Sequence, residues 1–227
     1  AYQAMLLVGT EMASKATRKK YDLKTKFRTI PGSLGNYDIM GKKYSVAELE
    51  EIIVGTNTLS EKDYLECRVM NLFVTTFYNN SLFYEIYSML RSIGASCFDC
   101  LIYMIEHTEL YSDKVKKILA KFITETTEDL FDSQEKANKY VLSPEIINKY
   151  IGGDLGNNEL YLNRARLVNE FEDICNLMFK SVEGSLKEQN LYTQEIKNYL
   201  FELKQFILMR KKDFIISTES IKSAMFR

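Results

Sequence analysis

From Tyr64 onward the apolar residues of this chain recur at intervals of three and four, the period of one face of an α-helix. Tyr64, Leu65, Val69, Leu72, Phe73, Thr76 and Phe77 form the first stripe. Ser60 ahead of Glu61, Lys62 and Asp63 offers an N-cap, with acids where the helix dipole is positive. Asn79-Asn80 ends this helix. Phe83, Ile86, Tyr87 and Leu90 carry a second, closed by Gly94, and a third runs from about Ser96 to His107. Ser112-Asp113 starts a helix with the stripe Val115, Ile118, Leu119, Phe122 and Ile123, and Asp132-x-x-Glu135 opens another. Ser143-Pro144 is a further start, because proline at the first helical position lacks only a donor that would stay unpaired there.

The run Gly152-Gly153-Asp154-Leu155-Gly156-Asn157-Asn158 interrupts this pattern, with Asp154 and Asn158 as candidate caps for the next helix. Two long stripes come next, from about Glu159 to Val182 and from about Thr193 to Met209. Ten Gly and two Pro in 227 residues leave little turn chemistry for many short strands. The N-terminal part reads differently. Ala1 to about Lys19 predicts a short helix, residues 15 to 28 are basic, Ile30 to Asn36 is irregular around Pro31, and Glu51 to Gly55 is a β-branched strand. The expectation is a mainly α chain: an irregular, β-containing lead-in over 1–58, then a multi-helix array over 59–227.

Function classes are narrowed mostly by absence. Thirty basic and thirty-one acidic residues give a net charge of −1, with no global field for nucleic acid or membrane. No apolar run approaches the length of a membrane span and no signal peptide is recognisable, so a cytoplasmic setting with reduced thiols is expected. Cys97-Phe98-Asp99-Cys100 is a C-x-x-C with no second ligand pair, and reads as two small hydrophobes of a helix rather than a metal or redox site. His107 has no nucleophile motif beside it, and the glycine-rich run lacks the nucleotide fingerprints. No catalytic or metal-binding constellation emerges. The start at Ala1, without Met, is expected to be a cut from something longer.

Several phrases, in order, carry a resemblance: Thr25-Lys26-Phe27-Arg28-Thr29-Ile30-Pro31, Leu34-Gly35-Asn36-Tyr37, Glu50-Glu51-Ile52-Ile53-Val54-Gly55-Thr56, Thr58 to Arg68, and Gly152 to Leu160. Together they resemble the region that follows the catalytic barrel in radical S-adenosylmethionine proteins with an upstream cobalamin-binding-type domain. The resemblance covers about residues 20–165. It implies an accessory C-terminal domain that shapes or closes a substrate site and is not catalytic alone. Its partner would be the upstream barrel of the same polypeptide, with no nucleic acid or membrane. The parent would hold a [4Fe-4S] cluster and S-adenosylmethionine, with cobalamin left open. No cofactor falls to this chain, because the family's Cys-x-x-x-Cys-x-x-Cys is absent and would lie before Ala1. Arg28 and Arg68, each inside a matching phrase, are the candidates for contacting an anionic substrate group or the barrel. Structural ion pairs are the alternative for both. For the chain, the alternatives are a stand-alone helical protein-interaction module or a metal- or redox-active domain built on Cys97 and Cys100.

Overall fold

A computed structural model describes residues 4–79, 81–152, 155–156 and 158–210. It is mainly α-helical, with two small antiparallel sheets confined to the N-terminal part. The chain divides into two compact units, residues 1–71 with 119–163, and residues 72–118 with 164–227.

In the first unit, α1 (Lys15–Tyr21) leads into β1 (Lys24–Thr29), the hairpin of β2 (Gly35–Ile39) and β3 (Lys42–Val46), and then β4 (Leu49–Gly55). β1 and β4 pair antiparallel, with Arg28 opposite Glu50 and Lys26 opposite Ile52. Successive residues of a strand point to opposite faces. Ile52 and Val54 therefore share one face of β4 and bury against Tyr64 of α2 (Glu61–Phe73), with Leu65 and Leu130 packed alongside. Both sheet edges receive a short extra segment. Ala4 and Leu6 bond to Ile53 and Glu51 across β4, and Phe131 exchanges two 2.8 Å bonds with Phe27 of β1.

The expected helix from Ala1 to Lys19 is thus a correction: only Lys15–Tyr21 is helical, capped by Ser14, whose side chain accepts from the Thr17 amide. Residues 4–6 are drawn instead to the unpaired edge of β4, with Leu6 buried and Met5 and Leu7 exposed on either side. Residues 1–3 lie outside the described residues. The strand read at 51–55 is present and begins two residues earlier. The strands β2 and β3 have no counterpart in the sequence reading, because Tyr37, Ile39, Tyr44 and Val46 alternate over only ten residues. Their turn at Met40-Gly41 has φ of 52° and 75°, the left-handed pair of a two-residue hairpin.

Ser60 and Asp63 cap α2 reciprocally: the Asp63 amide donates to Ser60 Oγ, and the Asp63 carboxylate accepts from the Ser60 amide and hydroxyl. The rest of this unit comprises the C-terminal half of α5 (Asp113–Glu128), α6 (Gln134–Val141), α7 (Pro144–Ile151) and the first turn of α8 (Glu159–Asn169). Ser133 rather than Asp132 caps α6, and Pro144 opens α7 as the sequence indicates. Asn158 caps α8, its Oδ1 accepting from the amides of Leu160 and Tyr161. Asp154, the other candidate cap, lies outside the described residues.

The second unit is helical. α2 runs on into a single π-turn, Val74–Tyr78, and Asn79 caps it; Asn80 lies outside the described residues. α3 (Tyr84–Ser92), α4 (Cys97–Glu106), a 3₁₀ turn (Thr108–Leu110), α9 (Phe171–Glu188) and α10 (Gln194–Arg210) complete it. α9 is the centre, burying Phe171, Ile174, Leu177, Met178, Val182 and Leu186. Stacked and tilted rings link Phe73, Phe77, Phe83 and Phe171 at centroid distances of 5.4, 5.8 and 6.0 Å. Gly184 has no side chain because the Tyr103 ring of α4 takes its place: a Cβ there would meet Tyr103 Cζ at 2.2 Å. The single helix expected over Glu159–Val182 is another correction. Glu170 leaves helical geometry (ψ 49°) between α8 and α9 while its carboxylate takes Lys114 Nζ at 2.6 Å, a break that apolar periodicity does not register.

Candidate functional site

Two consecutive carboxylates of β4 head to opposite faces of the sheet and serve two different charged sites. Glu51, on the face towards α1, receives both terminal nitrogens of Arg18 at 2.6 Å and the Thr25 hydroxyl at 2.6 Å. The Arg18 guanidinium bonded to it holds the Glu51 carboxyl below the usual carboxylate range. Glu50 points the other way, beside Ile52, and pairs with Arg28 Nε directly across the strand pair.

Arg28 then extends beyond the sheet. Its Nη1 lies 3.4 Å from Glu159 Oε1 in the first turn of α8. The same oxygen accepts from Arg68 Nη2 of α2 at 2.6 Å. Arg68 and Glu159 are 7% and 8% exposed, so this pair is nearly dry. The Arg68 guanidinium also covers the Phe122 ring of α5 at 5.6 Å, and its Nε is buried with no hydrogen-bond partner. Asn163, one turn beyond Glu159, donates through Nδ2 to the Glu159 carbonyl at 2.8 Å and to Glu125 at 2.6 Å.

The two arginines that the sequence singles out are thereby brought to one carboxylate. Both guanidiniums are engaged by acids of the chain itself, Arg28 by Glu50 and Glu159 and Arg68 by Glu159. Glu50 and Glu159 also lie inside the matching phrases, yet the sequence reading misses them. Nothing local marks a carboxylate as the counterion of an arginine 22 or 131 residues away.

Beside this cluster a concavity of about 130 Å³ is lined by Glu125, Glu128, Asp129, Leu155, Gly156, Glu159 and Leu162. Asp129 as a residue is exposed, yet desolvation of its carboxyl and then the like charge of Glu159 push it up to about 6, with Arg28 pulling the other way. The opening is therefore acidic, and any group it meets favourably carries positive charge or donates hydrogen bonds. Gly153, Asp154 and Asn157 of the adjoining run lie outside the described residues.

The C-x-x-C sits at the start of α4, where the Ser96 hydroxyl caps the Asp99 amide. Cys97 is half-buried and Cys100 buried, and burial pushes the Cys100 thiol up to about 11, away from thiolate chemistry. His107 at the end of α4 stacks on Tyr103 with ring centroids 3.6 Å apart and places Nδ1 2.9 Å from the Tyr103 carbonyl. Among the described residues, no three His, Cys, Asp or Glu side chains are grouped to hold a metal ion, and no helix is long and apolar enough to cross a membrane. No protein-family model and no curated protein sequence matches the chain.

Proposed function

We propose that this chain is the accessory C-terminal region of a radical S-adenosylmethionine enzyme of the cobalamin-binding-domain type, one that shapes or closes the substrate site and performs no chemistry alone. The observation that supports the reading is the meeting of three of its phrases on one oxygen. Arg28 comes from the first, Arg68 from the fourth and Glu159 from the last, and they join at Glu159 Oε1. In this reading Arg28 and Arg68 act through position, tying β1, α2 and α8 into a fixed surface that the barrel of the same polypeptide covers in the cytoplasm. In this reading the cluster and S-adenosylmethionine belong to the barrel, because the family's Cys-x-x-x-Cys-x-x-Cys does not occur in these 227 residues, and no step is assigned to them on this chain.

The test is the parent polypeptide, purified anaerobically with its cluster reconstituted. Iron, sulfide and S-adenosylmethionine cleavage are expected in it. Glu159→Gln is expected to lower cleavage coupled to substrate turnover by about tenfold or more, the scale of a positioning defect remote from the chemistry. A parent without iron and sulfide overturns the reading.

A second reading, a helical protein-interaction module, is favoured by one observation. Tyr37, Ile39, Tyr44 and Val46 share one face of the β2–β3 hairpin, all exposed, with Met40 fully exposed at the tip. A two-stranded hairpin is marginally stable without a partner on its apolar face. Stable association of the purified 227-residue chain with a separate protein, lost in Tyr37→Ser/Tyr44→Ser, would support it.

A further inference from the structure

Within the second unit, α3 and α10 leave a groove of about 530 Å³ between them, within the size range of ligand pockets. Met89, Ile93 and Ile196 supply its apolar lining, and no Lys or Arg is among the described residues that form it. Its charges are the carboxylates Glu85 and Glu195. Each has an exposed tyrosine of its own helix for a neighbour: Tyr84 precedes Glu85 in α3, and Tyr199 lies one turn beyond Glu195 in α10. Glu85 is the more informative acid. Its Oε1 takes the guanidinium of Arg210 at the end of α10, whereas its Oε2 is buried with no hydrogen-bond partner. A buried carboxylate oxygen without a donor is costly, and a positively charged donor is the group that relieves it best.

Arg210 also orders the two acids along the groove. Glu195, in the first turn of α10, and Arg210, in its last, are about 22 Å apart along the helix axis. Packed helices sit only roughly 8–10 Å from each other. Glu195 therefore lies away from the Arg210–Glu85 pair, towards the other end of the groove. Two acid–tyrosine ends with apolar side chains between them fit one ligand chemistry. A carboxylate takes an ammonium group through charge-assisted hydrogen bonds, an aromatic ring adds cation–π attraction, and methylenes between two ammonium groups bury against Met and Ile. We propose that the α3–α10 groove is a binding site for a linear aliphatic polyamine. One ammonium group donates to Glu85 Oε2 beside Tyr84 and another to Glu195 beside Tyr199, with the methylene chain along Met89, Ile93 and Ile196. A monoamine satisfies one end only, and a hydrated metal cation gains nothing from the apolar lining. The site goes beyond the reading given above and is independent of the arginine cluster of the first unit.

Calorimetric titration of the 227-residue protein with spermidine, at physiological ionic strength, tests this without cluster or parent enzyme. One molecule is expected to bind per chain, with butylamine and magnesium each weaker by about tenfold or more. Glu195→Gln, at an exposed position, and Glu85→Gln should each lower spermidine affinity by about the same factor. Ser88→Lys sets a competing ammonium group in the groove at an exposed position and should abolish binding, with the far-ultraviolet circular dichroism unchanged. Glu128→Gln, in the acidic concavity of the first unit, should bind spermidine as the wild type does. No binding up to about 1 mM spermidine overturns the proposal. So does equal affinity for magnesium or butylamine, or an affinity unchanged in Glu195→Gln. Loss of binding in Glu128→Gln also overturns it, because the polyamine then sits in the first unit.

Discussion

Arg68 Nη2 and Glu159 Oε1 lie 2.6 Å apart across 91 residues of sequence, each side chain more than nine-tenths buried. Such a pair is ambiguous in what it contributes. The attraction within it offsets a desolvation cost of similar size, whereas losing Glu159 strips Arg68 of its carboxylate in a dry place and losing Arg68 leaves Glu159 only the longer 3.4 Å contact with Arg28. The expectation is therefore asymmetric. Arg68→Met alone or Glu159→Leu alone should cost about 3–5 kcal/mol, and the double variant much less than the sum of the two. Urea unfolding of the four proteins of this cycle checks it; additive losses would mean that the two side chains do not interact.

Glu51 and Arg18 form the contrasting case. Their geometry is bidentate, but a third of the Arg18 side chain is in solvent. Exposed pairs are screened, and Arg18→Ala should cost on the order of 1 kcal/mol or less. The sign of its pH dependence comes from the lowered carboxyl of Glu51. A depressed folded-state value contributes stability above the unfolded value, and that contribution is lost as pH falls through the folded one. The difference between wild type and Arg18→Ala should thus be constant from neutral pH down to about 4.5 and vanish below it. Chemical unfolding at pH 7, 5 and 3 measures this, and a gap that widens on acidification would contradict it.

Asp129 has the opposite sign. Its folded carboxyl titrates at about 6, against 3.8 for the ordinary group. Above pH 6 the folded state carries a charge that its surroundings disfavour, and the penalty is relieved as pH drops towards 4. Asp129→Asn should stabilise the protein at pH 7 by on the order of 1 kcal/mol, after allowance for screening of an exposed residue. The gain should shrink between pH 6 and 4. A variant no more stable than wild type at pH 7 would show that Arg28 already compensates the charge.

These three sites also show what the sequence could and could not reveal. The helices from α2 onward were legible because their apolar period and caps are local: Ser60, Ser96, Pro144 and Asn158 each act within three residues of themselves. The same locality hid the rest. Ala4–Leu6 becomes extended because β4 has an edge to fill, and Glu170 breaks a continuous apolar stripe while holding Lys114. Arg28 and Arg68 stood out in their phrases, but the identity of their common partner depends on α8 arriving beside β1 and α2. A counterion 91 or 131 residues away leaves no trace in spacing.

Gly184 makes a steric prediction. In the middle of α9 an alanine would gain about 1 kcal/mol of helix propensity. Its Cβ, however, would lie 2.2 Å from Tyr103 Cζ and 2.3 Å from the hydroxyl, inside van der Waals contact. Tyr103 is held by its stacking on His107, so moving aside disrupts that contact as well. Gly184→Ala is expected to destabilise by about 1–3 kcal/mol, as overpacking does. Adding Tyr103→Ala should return the propensity gain, leaving Gly184→Ala/Tyr103→Ala more stable than Tyr103→Ala alone. The reverse order in thermal unfolding would place the cost elsewhere.

The β2–β3 turn supplies the last test. Met40 is fully exposed and held at φ 52°, a left-handed conformation that costs a residue with a Cβ about 1 kcal/mol or more, while Gly41 sits at φ 75° without penalty. Two-residue hairpin turns of this geometry favour Asn-Gly. Met40→Asn creates that dipeptide and removes no buried contact. The hairpin should close more tightly, by about 0.5–1 kcal/mol in local opening. Because the hairpin is a separate sheet from β1–β4, the gain should appear in amide exchange of residues 35–46 and leave β4 amides unchanged. Faster exchange in the hairpin of Met40→Asn would mean that the methionine side chain, despite its exposure, holds the turn.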